Sequence, residues 1–163
     1  MPDLHSPRLI LRPWTSAEIH AVVSADRQPS WAADFPAEGD TVIAGVIASN
    51  PDWLSPFGHR LIIEQATSEV VGSLGLFWPP SDGCVEIGYG VVPSRQGKGY
   101  ASEAASALTS FALSLADVHT VHADVERTNP ASARVLEKAG FRHFDSTESL
   151  LRYRHGPGTP PQR

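Results

Sequence analysis

Two glycines one residue apart, Gly97 and Gly99, separate an apolar, strand-like run (Cys84 to Val92) from a helical pattern that opens near Tyr100. From Ala101 onward, Ala104, Ala105, Leu108, Phe111, Ala112 and Leu115 recur at three- and four-residue spacing, one face of a helix. Glycine lets the backbone turn tightly and approach a ligand closely. A helix start adds unpaired N–H groups and the positive end of the helix dipole. Strand, glycine turn and helix N-terminus together make an anion site, most often for a phosphate. A P-loop needs two glycines four residues apart followed by Lys and Ser or Thr, which Gly97-Lys98-Gly99-Tyr100 does not supply. A dinucleotide fingerprint needs three glycines beside a first strand; here Ala101 would have to be the third, past mid-chain. What stands in the sequence is Gln96-x-x-Gly99-x-Ala101.

The elements that must hold this turn can be read in order. Leu9 and Leu11 alternate inward in a first strand, Arg8 to Pro13, and Thr15-Ser16-Ala17-Glu18 is a capping box before a short helix. A second helix is expected over Asp40 to Ser49, with Val42, Ile43, Val46 and Ile47 on one side. His59 to Gln65 and Val70 to Phe77 read as a hairpin, Cys84 to Val92 as the next strand, and Tyr100 to Leu115 as the main helix. Val121 to Val125 follows as a strand, so strand, helix and strand form a parallel crossover. Asn129-Pro130 is an N-cap with proline at the first helical position, and this helix stops before Gly140. Phe141 to Ser146 and Ser149 to Arg154 close the chain as two strands, and residues 155–163 read as a loose tail. The pattern is mixed α+β, a single domain over residues 1–154.

Composition narrows the function. The chain is 41% hydrophobic and carries a net charge of −5 without any lysine or arginine run, which disfavours a nucleic-acid partner. The lone Cys84 excludes an internal disulfide, suits a reducing cytosol and reads as a small buried hydrophobe. Arginines stand where a signal peptide would have its apolar core. The longest apolar stretch, residues 42–48, is too short to span a bilayer, so the expected setting is cytoplasmic, with no membrane partner. The seven histidines are scattered without a second ligand pair, and no metal site is expected.

Gln96-x-x-Gly99-x-Ala101 resembles the pyrophosphate-binding motif of the GNAT acetyltransferases. Three further segments are similar to the Rim-type branch of that superfamily, in family order: Ser6 to Pro13, Glu86-Ile87-Gly88-Tyr89 with Gly97 to Ala104, and Asn129 to Phe141. The resemblance covers roughly residues 6–154. It implies a central, mostly antiparallel sheet with one splayed parallel strand pair and flanking helices. It also implies acetyl-CoA as donor and a primary amine, on a small molecule or a peptide, as acceptor. Pantetheine would lie in the splay and pair with backbone near Val91 and Val92, while amides from Gln96 through Gly97, Lys98, Gly99 and Tyr100 to Ala101 hold the pyrophosphate. Arg95 and Lys98 are candidates for phosphate contact, Asn129 and Ser132 for contact with pantetheine and its thiol. A homodimer is among the states the resemblance allows.

Acetyl transfer to an amine makes three demands. An amine of pKa near 10.4 must lose a proton. The thioester oxygen gains charge and wants a donor, for which the Val91 and Val92 N–H groups are candidates. The departing thiolate wants a proton. Glu86, alone in an apolar strand and on one face with Gly88 and Gly90, is the candidate base, a role its family position fills in some members, often through water. Many family members carry a tyrosine at the position matching Leu136; this chain does not, and Ser132 is the candidate acid in its place. Trp31, Phe35, Trp53, Phe77, Trp78 and Tyr89 are candidates for an acceptor pocket. The alternative from another class is a CoA- or acyl-CoA-binding sensor that has lost turnover.

Overall fold

In the computed structural model, which describes residues 3–55 and 57–156, Leu9 and Leu11 are fully buried, as their alternation requires. They belong to β2 (Leu9–Pro13), which lies between the short β1 (Leu4–His5) and β3 (His59–Glu64). The sheet continues with β4 (Glu69–Leu76), β5 (Cys84–Val91), β6 (Thr120–Glu126), β7 (Arg142–Ser146) and β8 (Leu150–His155). Its spatial order is β1-β2-β3-β4-β5-β6-β8-β7, antiparallel throughout except for β5 beside β6. This is the expected mixed α+β sheet with one parallel pair. The last strand slots between β6 and β7 and reaches His155, one residue beyond the expected end; residues 157–163 lie outside the described residues.

Four helices decorate the described sheet: α1 (Ser16–Val23), α2 (Glu38–Ser49), α3 (Tyr100–Leu113) and α4 (Pro130–Lys138). The Thr15 hydroxyl accepts the Glu18 N–H at 3.2 Å, and Glu18 accepts the Thr15 N–H at 2.9 Å while gripping Arg12 with both oxygens. Helix α2 begins two residues earlier than its apolar spacing suggests. Asp40, Ala44 and Ile47 form its buried side, and Val42 is exposed, contrary to expectation. The sheet selects the side that carries Asp40, because Ser73 on β4 donates its hydroxyl hydrogen to that carboxylate. Cys84 also departs from expectation: it is exposed, because the first residue of β5 stands at the rim of the sheet.

His59 is an interior histidine, 4% exposed, stacked on Trp53 at 6.0 Å and meeting Phe77 edge-on at 5.3 Å. Its partner in the ladder is Gly75, where a Cβ would fall 2.1 Å from the ring. Burial pushes the imidazole down to about 4. Between about pH 6.5 and 4 the unfolded chain therefore binds a proton that the native chain does not, and stability falls as pH falls through that window. We expect a loss of about 3 kcal/mol across it, read by urea unfolding at several pH values. A His59→Phe variant should show a flatter profile.

Candidate active site

Sequence and ladder together open a gap at the middle of the sheet. β5 pairs with β6 only from Cys84 to Glu86, opposite Thr120 to His122; from Ile87 to Val91 the two strands have parted. On the other edge β5 stays paired with β4 through Gly72 opposite Val91. The Val92 N–H donates to the Val71 carbonyl at 2.9 Å, which removes it as a donor to a thioester. Antiparallel ladders alternate bonded and non-bonded pairs, so the Val91 amide points away from β4 and into the gap. Of the two candidate oxyanion donors, only Val91 remains.

Beyond Val91 the chain turns through Pro93–Arg95 and reaches Gly97 and Gly99, both left-handed, with φ of 80° and 83°. Only glycine adopts such angles at no steric cost. Gly99 is the N-cap of α3 and has no side chain to occupy the first-turn amides, so those amides stay available to an anion. The turn is clamped from behind. Glu103, in the first turn of α3, accepts the Ser6 hydroxyl at 2.5 Å, the Arg8 N–H at 2.9 Å and the Arg8 Nε–H at 2.8 Å. Arg8 also lies 4.7 Å above the Tyr100 ring. Two of the sequence segments quoted for the resemblance are thus two halves of one contact.

Arg95 has a different occupation from the one expected. Its guanidinium donates to Glu64 at 3.3 Å and to Glu69 at 2.5 Å. Glu64 also accepts the Tyr100 and Thr67 hydroxyls, each at 2.7 Å. Burial alone would raise the Glu64 carboxyl, but these bonds and the Arg95 charge outweigh it and hold the group below its ordinary value. Arg95 borders the cavity yet works as a strut between the turn and the β3–β4 hairpin.

A cavity of about 480 Å³ lies between this turn and α4. It gathers most of the residues expected at a cofactor: Val91, Arg95, Gln96, Gly97, Gly99, Tyr100, Ala101, Asn129 and Ser132. Lys98 is exposed on the turn and Val92 is buried behind it. Gln96 donates its side-chain amide to the Val91 carbonyl at 2.9 Å, closing the ladder edge that a ligand in the gap would use. Arg134 and Lys138 line the cavity as well; sequence reasoning passed over them, although their four-residue spacing puts two cations on one helix face. Asn129 caps α4 by accepting the Ser132 N–H at 3.2 Å.

A second, smaller cavity of about 270 Å³ lies on the α2 side and meets the first at Tyr89, Gly90 and Val91. Its walls are Ile43, Leu74 and Phe77, with Asp40, His59 and Ser73 as the polar groups. None of those three polar residues stood out in the sequence. Asp40 is 4% exposed, and burial raises its carboxyl despite the bonds from Ser73 and from the Ala37 N–H. Of the aromatic candidates, Phe77 and Tyr89 border this cavity. Trp31 and Phe35 are instead core residues, 5.3 Å apart and packed edge to face, while Trp78 stacks on Phe57 at 5.0 Å away from the gap. Trp53 stacks on His59 from behind.

Glu86 sits at the last parallel pair, in register with His122. It is half-buried, and burial raises its carboxyl; His122 and Arg152 pull it down and Asp124 pushes it up by smaller amounts. It borders neither cavity. Gly88, on the same face two residues on, does border the smaller one, so the backbone of Glu86 lies about 7 Å along the strand from that wall. Among the described residues no group of three or more His, Cys, Asp or Glu side chains could hold a metal, and no helix is long and apolar enough to cross a membrane.

Comparison with known proteins agrees with this geometry. Residues 8–142 match the model of the acetyltransferase (GNAT) domain family. The chain is 30% identical to the uncharacterized N-acetyltransferase YoaA of Bacillus subtilis strain 168, over 98% of this chain and 92% of that one. It is 37% identical to the uncharacterized N-acetyltransferase YjdG of the same strain over 52% of this chain, spanning about half (51%) of that relative's length. Its fold matches that of RimL, a ribosomal L7/L12 alpha-N-protein acetyltransferase solved with coenzyme A, with a TM-score of 0.69, 20% identity and coverage of 95% and 98%. The chain belongs to the GNAT acetyltransferase family.

Proposed function

We propose that this protein transfers the acetyl group of acetyl-CoA to a primary amine by direct attack in a ternary complex, as a Rim-type member of its family. One observation carries the reading: two cavities of unequal size and character meet at Tyr89, Gly90 and Val91, where β5 has left β6 and the Val91 amide faces the gap. The larger cavity suits the donor. Its uncapped α3 amides, with Arg134 and Lys138 across from them, offer a diphosphate both hydrogen bonds and charge. Asn129 and Ser132 face the pantetheine arm, and Gln96 must release the Val91 carbonyl to admit it. The smaller cavity suits the acceptor, and Asp40 at its wall favours a cationic one. Glu86 takes the amine proton through water, since it lines neither cavity itself while Gly88 on the same strand face does.

RimL, with its bound coenzyme A and ribosomal-protein acceptor, supports the donor and leaves the acceptor of this chain open between peptide N-termini and small amines. The position of Glu86 outside both cavities favours a second reading, a CoA-binding sensor without turnover. A thiol-release assay with acetyl-CoA and a panel of peptide amides, free amino acids and polyamines separates the two. Amine-dependent release with a matching acetylated product supports transfer; binding of acetyl-CoA without release for any amine supports the sensor.

A further inference from the structure

Tyr89 belongs to neither cavity alone. It lies next to Gly88 and Gly90, which face α2, and by the alternation of a strand its ring goes to the α4 side. There its hydroxyl stands 2.6 Å from the Ser132 Oγ and 3.1 Å from the Ser132 carbonyl oxygen. The phenol has one hydrogen. In the shorter contact either hydroxyl can donate, and the carbonyl competes for the phenol's hydrogen. With that hydrogen directed at Oγ, the serine's own is free to point into the donor cavity, which Ser132 lines. Leu136, one turn further along α4, is fully buried and apolar, so no other hydroxyl stands on that stretch of the helix.

We propose that Tyr89 is a positioning residue for the departing sulfur: it holds Ser132 as a hydrogen-bond donor aimed at the thiol end of the donor cavity. The inference rests on the acetyl-transfer reading above. As the amine nitrogen bonds to the thioester carbon, the C–S bond breaks and its electron pair goes to sulfur. The Ser132 O–H donates to that sulfur while the Tyr89 O–H donates to Ser132. Each bond polarises the next, so the pair meets the growing negative charge better than a lone serine would. The thiolate then takes its proton from water, and the proton lost by the amine leaves by way of Glu86. Burial raises the Tyr89 hydroxyl above its ordinary value, against the smaller pull of Ser132, which keeps the phenol a donor at any working pH.

The test compares Tyr89→Phe, Ser132→Ala and the double variant with wild type, using the panel amine that wild type acetylates fastest. The expected result for Tyr89→Phe is a kcat about tenfold lower, with the KM for acetyl-CoA within about threefold. The double variant should lie within about twofold of Ser132→Ala, because the two act as one unit. The acetyl selenoester of CoA supplies a readout that a structural role would not move. Its leaving group needs less help, so the Tyr89→Phe loss should shrink to about threefold or less. An unchanged kcat, additive losses, or an equal loss with the selenoester each overturn the inference. A wild type that consumes no acetyl-CoA with any amine overturns the reading beneath it as well, whereas an active wild type with Tyr89→Phe at the same rate overturns the positioning role alone.

Discussion

Glu86→Gln should lower kcat by about 10²-fold or more while leaving acetyl-CoA affinity within about twofold of wild type. The carboxylate stands at the last β5–β6 pair, outside the donor cavity, so binding has no reason to change. Removing the only acidic side chain on β5 leaves the ammonium to lose its proton to bulk water. The pH profile gives a second signature. Burial raises the Glu86 carboxyl, so the acidic limb of kcat/KM in wild type should lie above the ordinary glutamate range and disappear in the variant. Equal rates for Glu86→Gln and wild type would remove Glu86 from the chemistry. If both were near background with acetyl-CoA still bound, the sensor reading would stand.

Gly72→Ala should be the most damaging single methyl that can be added near the gap. A Cβ there would lie 2.2 Å from the Gly90 carbonyl oxygen and 3.1 Å from the Val91 Cα, both backbone atoms of the neighbouring strand. No rotamer can relieve this overlap; β4 and β5 must separate. We expect a loss of about 3 kcal/mol in urea unfolding, near the upper end for overpacking. Because the Val91 amide faces the gap, activity under native conditions should fall too, measured on the fraction still folded. Gly45→Ala is the control. It sits in α2 with nothing within 4 Å of an added Cβ, and should stabilise by about 0.5–1 kcal/mol.

What the sequence revealed and what it hid follow from the range of the interactions involved. The Thr15–Glu18 box, the Asn129-Pro130 start of α4 and the two left-handed glycines before α3 are local devices, satisfied within about four residues, and each has a residue signature. The strand that leads into the turn and the parallel crossover were legible for the same reason. Glu103 shows the opposite case. It stands in a quoted segment, and Arg8 in another, yet nothing local announces that a carboxylate 95 residues away would bind the N-terminal backbone. Arg95 reads as a free cation beside a phosphate turn; two glutamates from β3 and β4 claim it. Trp31 and Phe35 are as apolar as any pocket residue, and their place in the core is a tertiary choice. Asp40 was hidden because a helical spacing rule counts only apolar residues, whereas the buried side of α2 is built around a carboxylate. Tyr89 stood among the aromatics considered for an acceptor. Its pairing with Ser132 depends on the first turn of α4 coming within reach of a β5 side chain, which no spacing within either segment encodes.

The central claim is that the cavity between the glycine turn and α4 is a site for acetyl-CoA. A calorimetric titration of acetyl-CoA into the purified protein, with ATP and NAD as controls, tests it most directly. Micromolar binding of acetyl-CoA, with no comparable binding of either control, is the expected outcome, since neither control possesses the pantetheine arm proposed to meet Asn129 and Ser132 in the cavity they line. No binding of acetyl-CoA at millimolar concentration would contradict the account, leaving Gly97 and Gly99 as a turn held in place by Glu103 and Arg8 and nothing more.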